Sequence, residues 1–255
     1  MFRLVCQAAL VAALTLLTLL TQIGGFAWLV ALVFRRRLLV FVLVYAALSA
    51  GAYAAVPLTG RVPLPCFGEG PLRMHSLLYC VLNRHYASPD LARVLEDVAT
   101  AMADRHPGTV TEVLDANFPF IDGFPMLPHL SHNDGGSADL AFWYGDGERY
   151  LRGATPSPIG YFAFEPGSTD CPDRWPTLRW DLEWLQPLWP ALGRDRVLDD
   201  ARLATAARLL AADPRLGKIF IEPHLVSRLG IAHPKIRFQG CRAARHDDHI
   251  HVQLP

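Results

Sequence analysis

The first 60 residues contain no aspartate and no glutamate. Their only charged side chains are Arg3, Arg35, Arg36 and Arg37, so this part cannot form the mixed-charge surface of an ordinary soluble domain. The chain also lacks a C-x-x-C pair, which argues against a cysteine-based zinc site. It has no internal repeat and no low-complexity tract. A basic excess is missing too. Residues 61–255 hold 20 of the 24 basic residues and all 24 acidic ones, leaving +4 on the N-terminal part and −4 on the remainder. A mildly acidic domain has no footprint for nucleic acid, so nucleic acid is not expected as a partner.

Two uncharged runs are present instead, Leu4 to Phe34 and Leu38 to Leu58. Each is long enough for a hydrocarbon core, which takes roughly 20 residues. Arg35–Arg37 between them marks the cytoplasmic side. The expectation is a transmembrane hairpin over 1–60, with everything beyond it outside the cytoplasm. Gln7, Thr21, Gln22 and Gly24-Gly25 weaken the first run. A competing reading takes Arg35–Arg37 and Leu38–Leu48 as a signal peptide with Ala52-Tyr53-Ala54 as its cleavage site. It leaves the first 34 residues unexplained, and either reading exports the same domain.

Cysteine usage agrees with export. Cys6 lies in the first apolar run, whereas Cys66, Cys80, Cys171 and Cys241 lie in the exported part. Four cysteines outside the cytoplasm predict two disulfides, with three connectivities open. Residues 61–72, rich in Pro and Gly, read as a linker or as a loop tied down at Cys66.

About 195 residues remain, enough for one domain with a real core. Leu91, Val94, Leu95, Val98 and Met102 have helical spacing over 88–106, with Ser88 as cap. Val197–Ala212 reads as a second helix and Arg174–Leu192 as another. The tryptophans 175, 180, 184 and 189 on the latter read as its core face rather than a sugar-stacking platform. Strands are expected at Thr109–Leu114, Asp139–Tyr144, Pro158–Phe164, Lys218–Glu222 and the C-terminus, and Phe118–Leu130 reads as a loop. This mixed order is α+β, with a small antiparallel sheet flanked by helices.

Two clusters carry the chemistry. The chain ends His246-Asp247-Asp248-His249-Ile250-His251-Val252-Gln253-Leu254-Pro255. On a strand, His249 and His251 face the same way. Upstream, His132 and Asp139 flank the turn dipeptide Asp134-Gly135, which would put His132 at the end of one strand and Asp139 on or near the next. Each cluster alone is compatible with a solvated loop. Together they supply two imidazoles and a carboxylate, a ligand set suited to a catalytic zinc site with an open position. Asp247 and Asp248 read as outer partners of an imidazole, with at least one of them a solvated turn residue. Glu222 and His224 form an alternative acid/base pair, although Glu222-Pro223 reads better as a strand end. His75, His85, His106 and His233 read as surface residues, and the direction of His129 is left open.

The pattern Ser131-His132-x-x-Gly135-x-x-x-Asp139 resembles the S-x-H-x-x-G-x-x-x-D type motif of the LAS metallopeptidases, with the serine adjacent to the histidine rather than two before it. The ending His246–Val252 is similar to the closing segment of the penicillin-insensitive murein endopeptidase branch, and the Glu-containing ending of D-Ala-D-Ala dipeptidases is absent. The resemblance is tight at the two clusters and loose over the rest of the domain, 73–255. It implies zinc ligated by His132, Asp139 and His251, with His249 as acid/base residue and His246 beside it in the active site. It also implies hydrolysis of peptide bonds in peptidoglycan stem peptides, on the periplasmic side of a bacterial inner membrane. The alternative it allows is a zinc-binding module without catalysis, acting in cell-wall binding or signalling. The presence of both His249 and His246 favours the enzyme. A disulfide-stapled structural domain, the third reading, predicts no zinc.

Overall fold

The computed structural model describes residues 2–127, 129–157, 159–160, 165–168, 171 and 196–255. Of the strand expected at Pro158–Phe164 only Ile159 and Gly160 are described, and they form a turn and a bend; the helix expected at Arg174–Leu192, with its tryptophans, lies outside the described residues.

The N-terminal part forms α1 (Phe2–Thr21), α2 (Gly24–Ala31) and α3 (Arg37–Ala55), extended by a 3-10 turn at Val56–Thr59. The first uncharged run is therefore not one crossing helix. The Thr18 and Thr21 hydroxyls donate back to the carbonyls of Leu14 and Leu17, Thr21 Oγ1 accepts from Gly24 N at 2.8 Å, and Gln22 takes φ 66°. The chain reverses there, and α2 returns along the end of α1. Contact is close enough that a Cβ on Gly25 would lie 2.0 Å from Thr18 Oγ1. Of the described residues only Arg37–Thr59, with mean hydropathy 2.1, form a helix long and apolar enough to cross a membrane. The second span of the expected hairpin is thus present by length and composition, and α1, Phe2–Thr21, is a 20-residue apolar helix that ends at the Thr21 turn.

The remainder is a mixed α+β domain. After β1 (Val62–Pro63) come β2 (Leu72–Met74), α4 (Leu77–Val81), β3 (Tyr86–Ala87), α5 (Pro89–Arg105), β4 (Thr111–Asp115), β5 (Ser137–Ala141) and β6 (Tyr144–Gly145). They are followed by β7 (Val197–Leu198), α6 (Asp200–Ala212), β8 (Lys218–Phe220), α7 (Pro223–Leu229), β9 (Ile236–Arg237) and β10 (His249–Gln253). The main sheet has the order β2-β4-β5-β10-β8-β9. Its centre is antiparallel, but β2 runs parallel to β4 and β9 parallel to β8, so the expected antiparallel sheet is a mixed one.

Alternation divides the sheet into two faces. Ala138, Leu140, Ile219, Ile250 and Val252 join the buried core with Leu91, Leu95 and Met102 of α5 and Leu203, Ala207 and Leu210 of α6. Fully burying one such large apolar side chain contributes about 1.5–3 kcal/mol. Both helices begin where the sequence caps them. Ser88 Oγ accepts from Leu91 N, and Asp199 Oδ1 accepts from Arg202 N. The intervening residues of β5, β8 and β10 point to the other face and carry the polar cluster.

Residues 61–65 are packed into the domain rather than strung as a spacer. Arg61 is buried and bonds the Phe118 carbonyl and Asp122, while Val62–Pro63 pair with Tyr86–Ala87. Cys66 bonds Cys80, and Cys171 bonds Cys241, which settles both the number and the connectivity of the expected disulfides.

Candidate metal centre

Three elements bring the site together. β10 pairs with β5 so that His251 lies opposite Asp139 and His249 opposite Ala141. The loop between β4 and β5 supplies His132, which is not at the end of a strand as expected. Its Nδ1 lies 2.8 Å from the carbonyl of Ala116, just beyond β4. A carbonyl only accepts, so Nδ1 carries a hydrogen, and in the neutral ring Nε2 holds the lone pair. Gly135, at φ +85°, allows the loop its reversal. Its N–H donates to Asn117 and its carbonyl accepts from Ser88.

The three donor atoms form a small triangle. Asp139 Oδ1 lies 2.8 Å from His251 Nδ1, His132 Nε2 lies 3.2 Å from His251 Nδ1, and His132 Nε2 lies 3.2 Å from Asp139 Oδ1. Ligands at 2.0–2.1 Å from a tetrahedral ion are separated by about 3.3 Å. These edges therefore match a ligand face, and His132, Asp139 and His251 form a buried group that can hold a metal ion. The pattern in which a ligating imidazole donates its other N–H to a carbonyl is also that of a metal histidine.

His249 stands beside the triangle, as its position in the sequence implied. Its Nδ1 is 2.5 Å from Asp248 Oδ1, and Nε2 is 3.9 Å from Asp139 Oδ1. Asp248 is held in turn by the Ser157 hydroxyl at 2.5 Å. The His246 ring lies 4.9 Å from that of His249 and 5.7 Å from that of His251. Neither Asp247 nor Asp248 is a solvated turn residue. Both are fully buried, and Asp247 takes the Arg245 guanidinium. Glu222 and His224 are not an acid/base pair at this centre. Glu222 Oε1 accepts from His246 N and so braces the histidine segment, and His224 Nε2 lies 3.8 Å from Asp247.

Asp115, which sequence reasoning passed over, and His129, whose direction it left open, belong here. His129 is buried, 5.0 Å from the His132 ring, and ion-pairs with Asp139. Asp115, at the end of β4, lies 3.5 Å from His129. Asp115, His129 and His132 form a second group of possible ligands, but Arg84 already grips Asp115 through Nε at 3.0 Å and through Nη2. The third such group, Cys66, Cys80 and His85, has its thiols tied in a disulfide. Of the histidines read as surface residues, His75 is bound to Glu112 at 2.6 Å and His85 is buried.

The charges in the site are coupled. Burial opposes the Asp139 carboxylate, yet His132, His129 and His249 around it hold it well below the usual carboxylate range. Burial also opposes the imidazolium of His249, but the Asp139 and Asp248 carboxylates raise it to about 8. His132 is raised against burial by Asp139. Burial wins at His251, which falls to about 4, and at Asp247, which rises to about 7 despite Arg245. The centre therefore holds the Asp139 carboxylate among imidazoles of which His132 and His249 are pushed toward the protonated form and His129 and His251 toward the neutral one. A cation in the triangle would replace those protons.

Compared with family models and with curated proteins, the sequence matches none.

Proposed function

We propose that this protein is a membrane-anchored zinc peptidase that hydrolyses peptide bonds in peptidoglycan stem peptides. The observation that carries the reading is the ligand face of His132, Asp139 and His251, with a non-ligand imidazole, His249, held beside it by Asp248. When bound, zinc supplies Lewis acidity toward a carbonyl and acidifies water. The protein's own residues do the rest. His249 Nε2 is placed to take a proton and return it to the leaving amine, because Asp248 fixes its Nδ1 as the hydrogen-bearing nitrogen. His246 flanks the same space and suits the developing oxyanion. Arg35–Arg37 ahead of the apolar span, and two disulfides beyond it, support an inner-membrane anchor with the domain in the periplasm.

The deciding test is His249→Ala in the full chain. Metal content and fold should persist while kcat on cross-linked muropeptides falls roughly 10²–10⁴-fold. His251→Ala should lose metal and activity together. The enzymatic reading fails if zinc-loaded wild-type protein leaves muropeptides, small D-amino-acid peptides and sacculi uncut across pH 5–9.

A further inference from the structure

The membrane-length helix does not hold the domain at a distance. Tyr45, within α3, donates its hydroxyl to the Val81 carbonyl at the end of α4 at 2.6 Å. Asn83 Nδ2 bonds both Tyr45 and Ser49 at 3.0 Å. By the helical rise, Tyr45 lies about 12 Å above Arg37 and about 15 Å below Ala55. If α3 crosses a hydrocarbon core about 30 Å thick, α4 is attached to it inside that core.

The surface of α4 suits that depth. Leu77, Leu78 and Val81 are 51%, 52% and 59% exposed, and no residue from Leu77 to Leu82 is polar or charged apart from the Tyr79 hydroxyl and the disulfide-bonded Cys80. Phe67, 77% exposed, is held next to α4 by the Cys66–Cys80 bond. The second apolar outcrop is the loop bearing Ile121, Leu127 and Leu130. It too is joined to the N-terminal helices. Phe120 N donates to Gln22 Oε1, and the Thr59 hydroxyl to the Pro119 carbonyl. Its one carboxylate, Asp122, is paired with Arg61. Among the described residues beyond 60, only Val197 is a large exposed apolar side chain outside these two segments. Apolar exposure this concentrated marks an interaction surface rather than ordinary scatter.

We infer that the domain is seated in the bilayer, with α4 among the acyl chains near the middle of the hydrocarbon core and the 121–130 loop at the lipid surface. The partner is the lipid bilayer itself. The inference rests on the membrane-anchored reading above. It extends that reading, because the loop at the lipid surface also carries His129 and leads into His132, so the centre lies next to the membrane.

Depth measurement tests this. Full-chain protein with Cys6→Ser, which removes the free thiol, would be spin-labelled at Leu78→Cys, Val81→Cys, Leu127→Cys, Leu43→Cys or Val197→Cys. Each variant would be placed in phosphatidylcholine/phosphatidylglycerol vesicles. All five sites are exposed, so the labels disturb no core. Collisions with oxygen should exceed those with a water-soluble nickel chelate at 43, 78 and 81, be balanced at 127, and be reversed at 197. A lipid signal at 43 with a water signal at 78 and 81 would overturn the seating while leaving the anchor intact. A water signal at 43 would overturn the anchor and the seating together. Muropeptide cleavage by the labelled proteins is read separately, so loss of the peptidase reading is distinguishable from both.

Discussion

Metal binding to this centre should expel protons, and the charge pattern says from which side chains. In the metal-free protein at pH 7, Asp139 is already ionised. His251, lowered to about 4, is already neutral. Neither has a proton to give. His132 is raised by Asp139 and must be neutral to ligate through Nε2. His249, raised to about 8 by the carboxylates of Asp139 and Asp248, loses the benefit of Asp139 once a cation neutralises that charge. Proton release should therefore accompany zinc binding at pH 7, with His249, raised to about 8, as one source and His132 as the other. Each proton displaced strengthens apparent affinity about tenfold per pH unit, or about 1.4 kcal/mol. Calorimetric titration of zinc into metal-free protein, in buffers of different ionisation enthalpy, reads the number directly. Chelator competition from pH 6 to 8 reads the slope. His249→Ala should release fewer protons yet still bind. No proton release, together with an affinity flat across that pH range, would refute the charge arrangement deduced for His132 and His249.

Three further outcomes follow from other parts of the molecule. Burial lowers His85 to about 4 from an ordinary value near 6.5, so the unfolded chain binds the extra proton. The stability His85 supports is then complete above about pH 6.5 and falls by about 3 kcal/mol as pH drops to 4, and His85→Phe should flatten that slope in denaturant titrations. The Cys66–Cys80 bond closes a loop of sequence separation 14, and the double Ser variant should cost about 3 kcal/mol by the chain-entropy estimate, with unchanged stability as the contrary result. Asp248→Asn should keep metal while lowering activity about 10–100-fold, and wild-type turnover would show that His249 does not depend on that carboxylate for its orientation.

Much of the site was legible because it depends on local rules. The H-x-H spacing on a closing strand fixes two imidazoles on one face, and β10 places them so. Ser88 announces α5 by capping, whereas the helix expected from Val197 begins at Asp200, after strand β7 and its Asp199 cap. What stayed hidden was non-local. Asp115 ends a strand and reads like any solvated carboxylate, and nothing in the sequence links it to Arg84, 31 positions away. His129 follows a proline-rich stretch whose direction no periodicity sets. The first apolar run looked continuous because hydropathy does not register the Thr18, Thr21 and double-glycine geometry that turns it back. The mixed character of the sheet comes from β2 and β9, which have 3 and 2 residues, too short to show alternation.

The same alternation that builds the core also builds the centre, and this limits how the two can vary. In β10, Ile250 and Val252 fill the core while His249 and His251 face the cluster. Slipping the β5–β10 register by one residue would turn both imidazoles into the packing against α5 and α6 and carry both aliphatic side chains to Asp139. That buried carboxylate would keep His129 and His132 but lose both β10 imidazoles, and the ligand triangle would lose a corner. Slipping by two would keep the faces but replace His251 opposite Asp139 with His249 or Gln253. The pairing observed is the one in which the apolar face is closed and the Asp139 charge meets imidazoles. Selection for a packed core and selection for a metal-binding face therefore act on the same five residues, His249 to Gln253.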